Sequence, residues 1–210
     1  CGMGGGWGSL ARASEYSKDR EQGGSVLAAK QGYTHKLILP NVVRLEAARA
    51  FLEETAARLD AGEGANGALN TEGAIAKYMC TEFGNAAAEN AIQAHGGYGY
   101  TRPYVVEKVK RDVRITMIYE GTSEILEMTI ARDRWQLHLK SRGAHYRTAA
   151  QALRALHAQS PTVGADVAAL AADSLAAVLD ACQAGRLTLQ GPRAGEVQPR
   201  LGIGDADVDV

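Results

Sequence analysis

Residues 91–135 read AIQAHGGYGYTRPYVVEKVKRDVRITMIYEGTSEILEMTIARDRW. A helical pattern enters from the left and is interrupted at His95, Gly96, Gly97, Tyr98, Gly99 and Tyr100, because closely spaced glycines weaken helical order. After Pro103 comes a short amphipathic piece with Glu107, Lys108, Lys110, Arg111 and Asp112, and the charge run from Lys108 to Arg114 is expected to be a solvated face. Arg111, Asp112 and Arg132 are expected to knit helices together. The next helix begins after Thr122, whose hydroxyl can accept a bond from an unpaired amide of the first turn. Its expected apolar stripe is Ile125, Met128, Trp135 and Leu139.

The segments on either side also read as helices, since alanine is abundant and β-branched runs are short. Upstream, a short helix is expected from Trp7 to about Asp19, broken by Gly23 and Gly24. Val42, Leu45, Leu52, Ala56 and Leu59 then recur at helical spacing to about Asp60, with Pro40 kinking or starting that helix. A glycine-rich loop from Ala61 to Gly67 precedes a helix striped by Ile75, Tyr78, Met79 and Phe83 and ending near Ala94. Downstream, two Ala/Leu-rich helices are expected at Tyr146–His157 and Val163–Ala184. The stretch 185–210 gains Gly, Pro and Asp and is expected to be a mobile tail. The division anticipated is therefore a helical bundle at 1–140, a helical extension at 141–184 and the tail at 185–210.

With 46% apolar and 22% charged residues, the 210-residue chain has an ordinary globular composition and enough length for a core. A net charge of -1 supplies no field for polyphosphate or anionic membranes, so nucleic acid is not an expected partner. No apolar stretch reaches the roughly 18 residues of a membrane-spanning helix. Cys1, Cys80 and Cys182 are odd in number and widely spaced; they suggest no disulfide framework or zinc knuckle, and a reducing, cytoplasmic setting fits best. The histidines, among them His35, His138, His145 and His157, form no metal spacing, and no metal is expected. The opening at Cys1 is expected to be a cut in a longer chain.

Two places can carry chemistry. Glu120 stands before Gly121, Thr122 and Ser123 at the mouth of a helix, with Met117 and Ile118 behind it. Partial desolvation there would raise its pKa toward that of a useful general base, whereas a solvated carboxylate beside a helix N-terminus would be lowered by the dipole. Residues alone leave both open. Gln93, Gly96, Gly97 and Gly99 form the second place, where a bare backbone can approach a bulky ligand and turn amides toward phosphate oxygens. The pattern is not G-x-G-x-x-G and follows a helix, so a Rossmann site is excluded, while a plain helix C-cap remains open. His95 is expected to be a packing or surface residue, and Trp7 and Trp135 to lie in the core.

Taken in order, QxxGGxGY from Gln93, VEKxxRD from Val106, IYEGTSEI from Ile118 and Ala131-Arg132 resemble the C-terminal part of the acyl-CoA dehydrogenase family. Tyr16 through Gly24 with Gln31 resembles the family's Y…R-x-Q-F-G…Q segment, and Leu45–Arg49 its next helix. The resemblance implies an all-α fold, the antiparallel four-helix bundle that ends these enzymes, here followed by extra helices. It implies an FAD-dependent oxidoreductase in which Glu120 removes the α-proton of an acyl-CoA thioester while hydride leaves Cβ for the flavin. The Glu120 amide would help hold the thioester oxygen, with Tyr119, Glu120 and Gly121 as substrate-binding positions. Thr122 and Glu124 match flavin contacts. Gln93, Gly96 and Gly97 match a loop meeting the adenosine diphosphate portion of FAD from a neighbouring subunit, and Arg20 and Gln22 match another cross-subunit contact. A homo- or hetero-oligomer, with electrons passing to an electron-transfer flavoprotein, is implied.

Three positions depart from the pattern: Gly23 stands where the family has Phe, Glu124 where it often has Gln, and Val105 replaces a Pro, a change expected to alter only a turn. These residues are expected to hold no counterpart of the family's N-terminal helical and middle β domains, so no complete active site is expected within them. The alternatives are a short non-catalytic subunit completing the FAD site of a full-length partner, and a helical interaction module that keeps the motifs.

Overall fold

The computed structural model describes residues 1–159, 161 and 164–184; the expected tail from Gly185 lies outside them. Its element order is α1 (Gly2–Asp19), β1 (Glu21–Gln22), β2 (Ser25–Val26), α2 (Gln31–Tyr33), α3 (Leu39–Asp60), α4 (Asn70–His95), α5 (Val106–Arg114), α6 (Ser123–Lys140), α7 (Ala144–Gln159) and α8 (Ala165–Gln183). The fold is all-α, and the two short strands form only a tight hairpin. Two compact units result, one from Cys1 to Arg134 and one from Trp135 onward, with the division inside α6.

In the first unit α4 is the central element, with α1, α3 and α5 packed on it. Asn90 Nδ2 donates to Asn41 Oδ1 at 3.3 Å while Cys80 lies against the Ala48 carbonyl, so α3 runs antiparallel to α4. Asn85 Nδ2 donates to the Val113 carbonyl at 2.9 Å, and Val106 packs with Ala91 and Ala94, so α5 is antiparallel too. The third antiparallel neighbour, α6, is docked by polar pairs: Ser123 with Glu82, Tyr78 with Glu127 at 2.7 Å, Thr71 with Asp133 at 3.0 Å and Arg134 with Glu72 at 3.3 Å. In contrast, α1 lies parallel to α4, with Gly2 beside Thr81, Gly6 beside Gly84 and Tyr16 stacked on His95.

That contact explains two departures from the expected helices. Helix α1 begins at Gly2 and not at Trp7, because Gly2 and Gly6 serve a close helix crossing. The buried face of α4 is made of Ala76, Thr81, Gly84, Asn85, Ala87, Ala88, Ala91 and Ala94, not of the stripe Ile75, Tyr78, Met79 and Phe83, because large side chains would hold α1 away. Likewise Ile125, Met128 and Leu139 are exposed, at 53%, 68% and 41%. The start of α6 is held by hydrogen bonds, so its apolar residues are not needed for docking. Arg111 pairs with Glu107 and Lys108 with Asp112, both within α5, and Arg132 pairs with its neighbour Asp133. The helices are joined instead by Arg134, Asp133 and Asn85.

Local sequence sets the breaks. Pro40 occupies the first turn of α3, where its missing amide hydrogen costs nothing. Gly23 and Gly24 have φ of 56° and 79° between β1 and β2, as a two-residue hairpin turn with two left-handed positions requires. Glycine in place of the family's Phe is thus the residue this turn needs. Val105 has φ 62° at the start of α5, a strained conformation for a β-branched side chain.

In the second unit α7 and α8 pair antiparallel, with Arg147 bound to Asp180 and Arg154 to Asp173. Ala150, Ala165, Ala169, Ala176 and Leu179 supply their buried residues, and Trp135 stacks on the fully buried His138.

Candidate functional site

Helix α4 ends because Gly96 adopts φ 62° and ψ -143°, a region open essentially to glycine alone. The chain then turns through Gly96–Tyr100 in a 3₁₀ arrangement. Gly99 is fixed by space, since a Cβ there would lie 2.3 Å from the Ile92 carbonyl oxygen. Neither constraint applies to Gly97, which is exposed with no heavy atom within 4 Å of its missing Cβ.

This turn forms one wall of a cavity of about 650 Å³, lined among others by Tyr16, Arg20, Gln22, Gln93, Gly96 and Gly97. Arg20, at the end of α1, and Gln22, on β1, line the same cavity. Tyr16, His95 and Tyr104 form an aromatic cluster beneath, with Tyr16 and His95 stacked at 4.5 Å. The His95 ring is buried with Nδ1 2.7 Å from the Ala91 carbonyl oxygen, and burial pushes the Tyr16 hydroxyl up from its ordinary range. The Arg20 guanidinium lies 5.4 Å from the centre of the Tyr98 ring, within cation–π reach. A cation, two side-chain amides, bare glycine backbone and aromatic faces suit an anionic, ring-bearing ligand. FAD fits that donor set, and a Cβ at Gly96 or Gly97 would project into open space that such a ligand can fill.

A second cavity, of about 450 Å³, lies at the other end of α4, lined by residues that include Cys1, Leu52, Ala56, Leu59, Lys77, Cys80, Tyr119 and Glu120. Glu120 (φ 55°) and Gly121 (φ 96°) are consecutive left-handed residues before α6. Lys77 donates to the Gly121 carbonyl oxygen at 2.6 Å, and Ser123 is bound to Glu82, so α4 holds both sides of the turn. Burial lowers the Lys77 ammonium below its ordinary range, with Glu82 and Glu120 opposing the shift. Glu120 is an exposed residue of this lining.

Thr122 and Glu124 line neither cavity. Thr122 Oγ1 accepts from the Ile125 amide at 3.4 Å, as expected of an N-cap. The Glu124 carboxyl is held below the ordinary carboxylate range by its own amide, then by the Thr122 hydroxyl and the Arg114 charge. Arg20, Gln22, Gln93, Gly96 and Gly97 therefore share one cavity, and Tyr119 and Glu120 share another, with Gly121 beside them. Among the described residues no group of three His, Cys, Asp or Glu side chains is placed to hold a metal ion. No helix among them is long and apolar enough to cross a membrane.

Sequence reasoning missed Lys77 and the cavity role of Leu52, Ala56 and Leu59, which it read only as residues recurring at helical spacing. Lys77 did leave a signal, as the one charge in the run Gly73–Cys80.

Residues 2–134 match the family model described as acyl-CoA dehydrogenase, C-terminal domain, and the chain belongs to the acyl-CoA dehydrogenase family. It is 37% identical over 123 residues to 3-(aryl)acrylate reductase of Clostridium sporogenes, covering 59% of this chain and 31% of that protein. It is 36% identical over 124 residues to the caffeyl-CoA reductase-Etf complex subunit CarC of Acetobacterium woodii, covering 59% of this chain and 31% of that one. The structure is similar to butyryl-CoA dehydrogenase from Megasphaera elsdenii, with a TM-score of 0.58 and 34% identity over 63% of this chain and 33% of that chain. The chain thus spans about a third of the length of these relatives.

Proposed function

We propose that this chain supplies the proton-abstracting carboxylate and part of the FAD-binding surface for α,β-dehydrogenation of an acyl-CoA thioester. One observation carries the reading: Glu120 lines a cavity together with Leu52, Ala56 and Leu59, on a left-handed turn anchored by Lys77. A carboxylate carried on an anchored turn beside an apolar surface suits removal of a weakly acidic C–H next to a thioester. Glu120 takes the α-proton onto a carboxylate oxygen, and its backbone amide holds the thioester oxygen, with Tyr119 and Gly121 shaping the same place. When bound, FAD supplies the acceptor for the β-hydride that departs as the Cα–Cβ double bond forms.

Arg20, Gln22, Gln93, Gly96 and Gly97 would hold the adenosine diphosphate portion of FAD. We assign that portion to a neighbouring subunit, which makes the working protein an oligomer, while Thr122 and Glu124 meet flavin at the other end of α4. An electron-transfer flavoprotein is the partner that fits; a relative named as part of an Etf complex supports it. Free thiols at Cys1, Cys80 and Cys182 suit a reducing compartment such as the cytoplasm.

The test is Glu120→Gln in the flavin-loaded protein together with the remaining catalytic domains, followed by anaerobic flavin bleaching with a panel of acyl-CoA chain lengths. The substitution keeps shape and removes the proton acceptor, so bleaching should slow by about 10²–10⁴ while FAD stays bound. Undiminished bleaching with every acyl-CoA that works would place the base elsewhere.

A further inference from the structure

We propose that Lys77 is the positioning residue for Glu120: its ammonium, by binding the Gly121 carbonyl oxygen, fixes the left-handed turn that aims the carboxylate. The inference rests on the assignment of Glu120 as the proton acceptor and adds the group that holds it in place. Glu120 and Gly121 have φ of 55° and 96°. The left-handed region is unfavourable for a residue with a Cβ, so Glu120 keeps this conformation only where its surroundings hold it. The bond from Lys77 Nζ, at 2.6 Å, supplies that hold one residue beyond Glu120.

The geometry suits this role better than that of an ordinary surface lysine. Lys77 is partly buried in the wall of the cavity that Glu120 opens onto, beside Ala76 and Thr81. Its ammonium is bonded to main chain and faces two carboxylates, Glu82 and Glu120, which offset the cost of burying it. Glu82 is itself tied to Ser123, so Lys77 and Glu82 clamp the turn on either side of Thr122. Removing the ammonium leaves the Ser123 contact and the N-cap intact but frees the Gly121–Thr122 peptide, and with it the left-handed turn that carries Glu120. The carboxylate then samples directions that are unproductive, and the limiting rate falls while substrate affinity does not.

Gly121–Thr122 is the sole Gly–Thr pair in the sequence. Labelling the 210-residue chain with carbonyl-¹³C glycine and ¹⁵N threonine therefore gives a single correlation that reports the Gly121 carbonyl. Lys77→Met should move that signal upfield and Lys77→Arg should restore it. In the unsubstituted chain the signal should titrate with an ammonium whose midpoint lies below the ordinary lysine range, a measurement that does not depend on any variant folding. In the flavin-loaded protein with its remaining domains, Lys77→Met should slow bleaching by acyl-CoA about 10–100-fold, with half-saturation within about twofold, and Lys77→Arg should recover most of the rate. A Gly121 signal that neither titrates nor moves, or a full rate in Lys77→Met, overturns the role. Glu120→Gln separates this from failure of the underlying reading. If that variant bleaches at the parent rate, the assignment of Glu120 falls. If it is inert while Lys77→Met is unaffected, only the positioning role falls.

Discussion

A Cβ built on Gly6 would lie 2.6 Å from the Cα of Gly84. No side chain fits there, so α1 and α4 meet backbone to backbone, and both cavities take their geometry from that contact. Tyr16 and Arg20 at the end of α1 reach the turn after α4, while Gly2 at its start borders the cavity of Glu120. Gly6→Ala gains helix propensity but forces the two backbones apart, and the second effect should win, with a net loss of about 1–3 kcal/mol. Gly4 has no heavy atom within 4 Å of its missing Cβ, so Gly4→Ala should stabilise by about 0.5–1 kcal/mol. Thermal melts of the two variants should shift in opposite directions; a gain from both would mean that α1 does not approach α4 this closely.

The cavity beside the glycine turn gives a binding prediction that needs no turnover. Arg20 is its cation, and its partner on the ligand would be phosphate. Arg20→Ala should weaken binding of adenosine diphosphate or FAD about tenfold, and the remaining affinity should depend less on salt. Gly96→Ala should weaken it as well, by straining a φ of 62° that only glycine adopts freely with this ψ. Isothermal titration at two ionic strengths checks both. An Arg20→Ala chain that binds as the parent does, with the same salt dependence, would remove the phosphate from this cavity.

The Tyr78 hydroxyl donates to Glu127 at 2.7 Å, and that bond, ahead of burial, pushes its pKa up to about 12. The free phenol ionises near 10. The folded value is the higher one, so the contribution to stability is fully present below about pH 10 and is lost as pH rises toward about 12. The pair is at the surface, so that contribution is small and the readout is spectroscopic. Absorbance titration of the parent against Glu127→Gln should show one tyrosine moving from about 12 back toward the ordinary range. Superimposable titrations would mean that the pair does not form in solution.

Much of this was legible from residue order because the breaks are chemically explicit. The Gly96–Gly99 turn and Thr122 each mark a helix boundary through a local backbone requirement and were found where they were expected, and Pro40 stands where a π-helical stretch over Thr34–Ile38 passes into α3. Packing faces were harder to read. Hydrophobic periodicity rewards large side chains, whereas α4 buries alanines, Gly84 and Asn85 to admit α1. The cavity of Glu120 was hidden for a related reason: Leu52 and Leu59 have the spacing of core residues, yet they are 38% and 52% exposed. The hydrogen bond from Lys77 joins residues 44 positions apart, and no local pattern announces such a pair.

Asp180 offers the last test, in the second unit. One of its oxygens accepts from Arg147, and the other lies 3.4 Å from Nε2 of His138, whose ring is fully buried. Gly143 is left-handed beside them, with φ 78°, and a Cβ there would come within 3.0 Å of the same carboxylate. One side chain thus draws together α6, α7 and α8. Asp180→Ala would free the Arg147 guanidinium and take the nearby carboxylate from a buried His138 ring whose nitrogens make no hydrogen bond among the described residues, and removing the charge beside a buried polar group costs more than an exposed ion pair does. Arg147 is half exposed, which tempers the cost to about 1–3 kcal/mol. Arg154 and Asp173 make the comparable pair one step along the same two helices with no buried partner, so Arg154→Ala should cost no more than about 1 kcal/mol. Hydrogen exchange should report faster opening across 144–159 and 165–183 in Asp180→Ala, with 2–19 and 70–95 protected as in the parent. Equal effects from the two variants would mean that His138 gains nothing from Asp180.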